Sequence, residues 1–171
     1  MRDWRGVPIA PSRLAALVGD HPRLRSYGAR RGMSLARAFE RYLKAELRPL
    51  AGWEEVRDFL ARCRYARDES RGRRDVWLHP EDFEKEGAGD CEDHALWAWA
   101  QLARLGWDAR FTVGIFDGGG HAWVQVLQGG RVRILEATEK RPEKILFDAG
   151  GAYEPVWSVD ATPRFYAHGA S

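Results

Sequence analysis

The sequence predicts an α+β domain in which a helical first half precedes a central helix opening on a cysteine, and that helix packs on an antiparallel sheet. Three observations carry this. Apolar residues recur at helical intervals before residue 66, and a largely apolar stretch runs from Glu92 to Leu105. After it the period changes to alternation, with breaks at Asp117-Gly118-Gly119-Gly120 and Gly129-Gly130. The 171 residues suit one domain over 1–171, with a mainly helical part over 1–66 and the core around the cysteine over 75–166.

Residues 1 to 32 hold a short helical candidate from Pro11 to Val18 and otherwise break at Gly19, Pro22, Gly28 and Gly32, which predicts irregular covering structure. From Ser34, an N-cap residue, the series Leu35, Phe39, Tyr42, Leu43, Leu47 predicts an amphipathic helix that Pro49 ends. A second is expected from Trp53 to Tyr65, with Cys63 on its apolar face. Residues 67 to 74 read as a charged loop, and Asp75 to Phe83 as an aromatic, proline-marked approach to Cys91. Strands follow over Phe111–Ile115, His121–Leu127 and Arg131–Glu136, and one more around Val156–Val159.

Charge and composition exclude several classes. Net charge is +2, and the arginines at 23, 25, 30, 31, 71, 73 and 74 lack interleaved aromatics or a nucleic-acid motif, so they read as solvated surface. No apolar run approaches a membrane span, and Met1-Arg2-Asp3-Trp4 lacks a signal peptide's hydrophobic segment. A cytoplasmic protein is the expectation, although a periplasmic chain trimmed of its leader would look the same.

Chemistry concentrates at Gly87-Ala88-Gly89-Asp90-Cys91-Glu92-Asp93-His94. A thiol in the first turn of a helix meets unpaired N–H groups and the positive end of the helix dipole, which favour the nucleophilic thiolate. Asp90, Glu92 and Asp93 oppose that thiolate, so a cationic partner is required, and His121 is the candidate. If Gly129-Gly130 is a two-residue turn, Gln128 faces Arg131 and Trp123 faces Glu136. His121, Trp123 and Gln125 then share a face with Ile134, Glu136 and Thr138, and His121 and Glu136 become diagonal neighbours. Ala122, Val124, Val126 and Leu135 form the opposite, core-facing side. Cys91 as nucleophile, His121 as base and Glu136 as its orienting acid make a complete set for attack on an acyl carbon, with no cofactor required. The Cys91 backbone N–H is one oxyanion donor, and the Trp77 indole is the candidate for the second, against a reading of Trp77 as an aromatic anchor.

Gly89-Asp90-Cys91-Glu92-Asp93-His94-Ala95, Gly120-His121-Ala122-Trp123-Val124 and Ile134-Leu135-Glu136-Ala137-Thr138, with Trp77 and Pro80 upstream, resemble the transglutaminase-like superfamily. The nearest resemblance is to the bacterial transglutaminase-like cysteine proteinases, over residues 75 to 138. It implies a papain-like core, a Cys91–His121–Glu136 triad and a protein or peptide substrate. Aspartate is usual at the third position, so Glu136 departs by one methylene. The resemblance also implies calcium as a possible ligand, through Asp90, Glu92 and Asp93. The expected function is that of a cysteine peptidase or amidase acting through a thioester. Acyl transfer to amines, a degenerate binding domain, and a zinc centre of Cys91, His94 and His121 are the alternatives.

Overall fold

A computed structural model of the chain describes residues 5–19, 35–67 and 77–169. The Ser34 cap, most of the 67–74 loop and the arginine clusters lie outside the described residues. Helices α1 (Pro11–Gly19), α2 (Leu35–Leu43) and α3 (Trp53–Arg62) precede α4 (Pro80–Glu86) and the central α5 (Cys91–Arg104). Strands β1 (Val7–Ile9), β4 (Ala109–Phe116), β5 (Gly119–Gln128), β6 (Arg131–Leu135), β7 (Leu146–Asp148), β8 (Tyr153–Val159) and β9 (Phe165–Ala167) form one sheet in the order β1-β9-β8-β4-β5-β6-β7. Every pairing in it is antiparallel. A separate parallel pair joins β2 (Arg64–Tyr65) to β3 (Ala88–Gly89). The α+β architecture expected from the sequence is the one observed.

Helix α5 packs across β4 and β5. From Cys91 to Leu102 every residue of α5 is buried, because apolar side chains occupy nearly its whole circumference. The Trp99 indole N–H donates to the Ala109 carbonyl at 3.3 Å, fixing the helix to β4. On the same side of the sheet Phe111, Val113, Ala122, Val124, Val126 and Leu135 belong to the main core, as the alternation predicts. Trp123, Ile134 and Tyr153 form a smaller cluster on the other side.

Several boundaries differ from the sequence expectation, each for a local reason. Helix α2 ends at Leu43 rather than reaching Leu47, because the next backbone groups bond elsewhere. The Glu46 and Arg48 N–H groups donate to Glu81 and Glu84 of α4, while Arg104 and Gln101 of α5 donate to the carbonyls of Ala45 and Arg48. Helix α3 stops at Arg62, and the chain turns extended at Cys63 so that Tyr65 can pair with Gly89. The approach to Cys91 contains helix α4, started by Pro80 and closed by Gly87 at φ 61°. The β4–β5 turn is only Asp117-Gly118, both with positive φ, and Gly119 and Gly120 already belong to β5. Strands β1, β7 and β9, too short to show a period, extend the sheet beyond expectation.

Phe39 of α2 ties the helical half to the sheet. Its ring lies 5.4–6.3 Å from those of Tyr42, Trp77, Trp99, Phe111, Trp157 and Phe165. Phe39→Ala is expected to cost about 3–5 kcal/mol, read as a lower urea midpoint, because no neighbour can collapse into the vacated centre.

Candidate active site

Cys91 is the first residue of α5, and the turn before it is set by two carboxylates. Asp90 is the N-cap, and Asp90 and Asp93 form a capping box: each side chain accepts the other's backbone N–H. Asp93 Oδ1 also accepts the Leu78 N–H at 2.7 Å, tying the approach segment to the helix start. A Cβ at Gly89 would lie 2.5 Å from Asp93 Oδ2, so glycine is required there. The Asp90-x-x-Asp93 spacing carries this capping signal, a role beside those of thiol neighbour and possible calcium ligand that the sequence suggests.

The Cys91 thiol is 4% exposed and donates to Glu92 Oε2 at 3.2 Å. Burial pushes the Glu92 carboxyl up to about 7, and the Asp93 charge adds to this against bonds from its own backbone, Asp90 and Cys91. Glu92 is thus a reluctantly ionised acid beside the sulfur.

His121 and Glu136 are brought together as the register predicts. Gln128 pairs with Arg131 across the Gly129-Gly130 turn, and the ladder runs back to Val124 opposite Leu135. His121 Nε2 and Glu136 Oε2 are 2.7 Å apart, both largely buried. The Tyr153 hydroxyl donates to the same oxygen at 2.8 Å, while the Thr138 N–H and hydroxyl donate to Oε1 at 3.1 and 2.6 Å. Burial alone would raise the Glu136 carboxyl, but the bonds and charge of His121, with Thr138 and Tyr153, hold it below the usual carboxylate range. Tyr153 and Thr138 complete the hydrogen bonding of Glu136. Thr138 was placed on the right face, but Tyr153 lies on a strand whose start was not recognised.

Trp77 is buried against Phe39 and Phe111, the anchoring arrangement weighed against its oxyanion role. His94, offered above as a zinc ligand, is fully buried. Its Nδ1 bonds the Asp90 carbonyl at 2.7 Å and its Nε2 lies 3.2 Å from Lys140 Nζ, so neither ring nitrogen is offered to zinc. Asp90, Glu92 and Asp93 supply the hard oxygens calcium prefers. As they stand they do not converge: Asp93 accepts two backbone N–H groups and Glu92 faces the thiol. No group of three His, Cys, Asp or Glu side chains among the described residues is set to hold a metal ion. No helix among them is long and apolar enough to cross a membrane.

Because Glu136 is depressed in the folded chain, its stabilisation is present above the ordinary carboxylate range and lost as pH falls through the folded value. Tyr153→Phe removes one donor and raises that folded value. The variant is expected to lose about 1–3 kcal/mol at neutral pH and to unfold at a higher pH on acidification, as measured by urea unfolding at a series of pH values.

Residues 36–133, more than half of the chain, match the family model described as the transglutaminase-like superfamily. Among curated proteins no relative matches the sequence significantly. Among solved structures, Legionella pneumophila LapG is similar at 19% identity and a TM-score of 0.55, over 94% of this chain and 90% of that one. Calcium-bound Legionella pneumophila LapG is similar at 19% identity and a TM-score of 0.56, over 93% and 88%. These likenesses are likenesses of fold. The family match, over more than half of the chain, shows that this chain belongs to the transglutaminase-like superfamily.

Proposed function

We propose that the protein is a cysteine hydrolase, a peptidase or amidase, acting through Cys91, His121 and Glu136 and a thioester acyl-enzyme. The observation that carries this is the His121–Glu136 pair at 2.7 Å, clamped by Tyr153 and Thr138, on the sheet that α5 crosses. His121 Nε2 is committed to Glu136, so Nδ1 is the nitrogen that takes the Cys91 proton. The thiolate attacks the acyl carbon of a peptide or amide, forming the S–C bond of a tetrahedral intermediate. Its oxyanion is met by the Cys91 backbone N–H at the helix start, with the Trp77 indole as the second donor in this reading. The intermediate collapses with loss of the amine, to which His121 returns the proton. Water, deprotonated by His121, then attacks the thioester, and breaking the S–C bond frees the acid and Cys91.

The pH dependence of iodoacetamide alkylation at Cys91 tests the activated pair. Fast alkylation well below the free-thiol value of roughly 8.5, lost in His121→Ala together with hydrolysis of peptide substrates, is the expected result. Slow alkylation with an ordinary thiol profile in both chains overturns it.

Glu92 tempers the nucleophile in this scheme. Its folded value is raised to about 7, so the folded chain holds the proton longer than the unfolded one. Stability from this group therefore falls as pH rises from the ordinary carboxylate range to about 7. Glu92→Gln removes that fall, giving a chain more stable at neutral pH and alkylated faster at Cys91, because a charge opposing the thiolate is gone. Calcium at the Asp90–Glu92–Asp93 turn is proposed from these oxygens and from the calcium-bound state of the Legionella protein. Binding there requires Glu92 to leave the thiol. Its signature is a rise in melting temperature on adding calcium, reversed by EGTA and absent in Glu92→Gln.

A further inference from the structure

Lys140 occupies a position no step above uses. Its half-buried ammonium donates to the Leu60 carbonyl at the end of α3 (3.1 Å) and to His94 Nε2 in the first turns of α5 (3.2 Å). The groups facing it are Cys63 at the end of α3, His94 on α5, and Glu136 and Glu139 on its own loop. Burial pulls it below the usual lysine range, and the charges of Cys63, Glu136 and Glu139 pull it back. The Leu60 carbonyl also accepts the Cys63 N–H at 3.2 Å, so that carbonyl keeps a partner without Lys140. His94 is the partner for which the lysine matters.

An ammonium has no lone pair to accept a bond, so His94 Nε2 must be unprotonated and its proton must sit on Nδ1, facing the Asp90 carbonyl 2.7 Å away. Asp90 is the N-cap residue immediately before Cys91. Four residues before Lys140 stands Glu136, whose Oε1 is held by Thr138 of the same loop. One side chain thus reaches both the turn that presents the nucleophile and the loop that orients the base. We propose that Lys140 is a positioning residue for the hydrolase reaction, fastening the Asp90–Cys91 turn to the Glu136 loop through the Nδ1–H tautomer of His94. The kinetic part of this proposal rests on the cysteine-hydrolase reading; the tautomer does not.

The test uses the native full chain and two variants, Lys140→Met and Lys140→Arg, with folding checked by circular dichroism. Nitrogen-15 histidine spectra are expected to show His94 as the Nδ1–H tautomer in the native chain and in Lys140→Arg, which keeps a donor at Nε2. Lys140→Met keeps Nδ1–H on the Asp90 carbonyl but removes the donor at Nε2, and the His94 Nε2 resonance is expected to move from its native position. On a peptide substrate, Lys140→Met should lower kcat on the order of 10–100-fold with little change in KM, and Lys140→Arg should recover most of it. A native His94 carrying its proton on Nε2 overturns the proposal, as does a Lys140→Met chain with a native Nε2 resonance and native kcat. A native chain that hydrolyses nothing sinks the hydrolase reading instead. The proposal is then judged on the tautomer and on Cys91 alkylation, which Lys140→Met must still change.

Discussion

The site depends on the buried carboxylate of Asp93. A fully buried aspartate is costly unless its oxygens are bonded, and both of these are, one to the Leu78 N–H and one to the Asp90 N–H. Three consequences follow from that placement. Leu78 is fixed against α5, which sets Trp77 beside it and α4 after it. Gly89 must lack a side chain, since a Cβ would enter the same carboxylate. Asp90 becomes the cap, which leaves Cys91 as the first helical residue, at the positive end of a buried helix. The five-residue motif is thus one packing solution: a space, a cap, a reagent, an acid against the thiol, and an anchor.

Glu92 and Glu136 are buried to a similar degree, yet their protonation equilibria move in opposite directions. The number and kind of donors decides. Glu136 receives four hydrogen bonds, from His121, Tyr153 and both donors of Thr138. Glu92 has bonds from its own backbone, Asp90 and the weak thiol donor but no cationic partner, and the Asp93 charge opposes it, so desolvation dominates. Environments that push two carboxyl groups apart are how one site keeps one acid ionised and another close to neutral. Here the ionised one holds the histidine, and the other faces the sulfur.

Much of this was legible in the sequence, and what was not has physical causes. The alternation from His121 to Leu127 and the Gly129-Gly130 turn determined a register, and the register alone placed His121 and Glu136 on one face. A period of two leaves no freedom once the turn length is known. Helix α5 was readable because its apolar series is long. Helix α2 ends short of Leu47 because Leu47, four residues after Leu43, is buried without being helical, while the backbone groups of Ala45, Glu46 and Arg48 bond to Arg104, Glu81, Glu84 and Gln101. Such bonds join residues 35 to 59 apart, and no local pattern reports them. Tyr153 and Lys140 were invisible for the same reason: each acts on the site from an element that local periodicity could not tie to it.

The glutamate at 136, where aspartate is usual, follows from the same register. Strand β6 ends at Leu135, but the Glu136 N–H continues inward to the Ile145 carbonyl, so the residue keeps its place in the sheet. His121 lies on the neighbouring strand diagonally from it, a separation of roughly 7–8 Å between backbones. A glutamate spans that diagonal in this chain and meets the imidazole at 2.7 Å. A longer side chain has more rotamers to lose, and Tyr153 and Thr138 restrict them by bonding both oxygens. Four donors converging on a carboxylate stabilise its charged form specifically. The extra methylene is therefore accompanied by its own supports, and the clamp is the strongest argument that position 136 still serves the histidine.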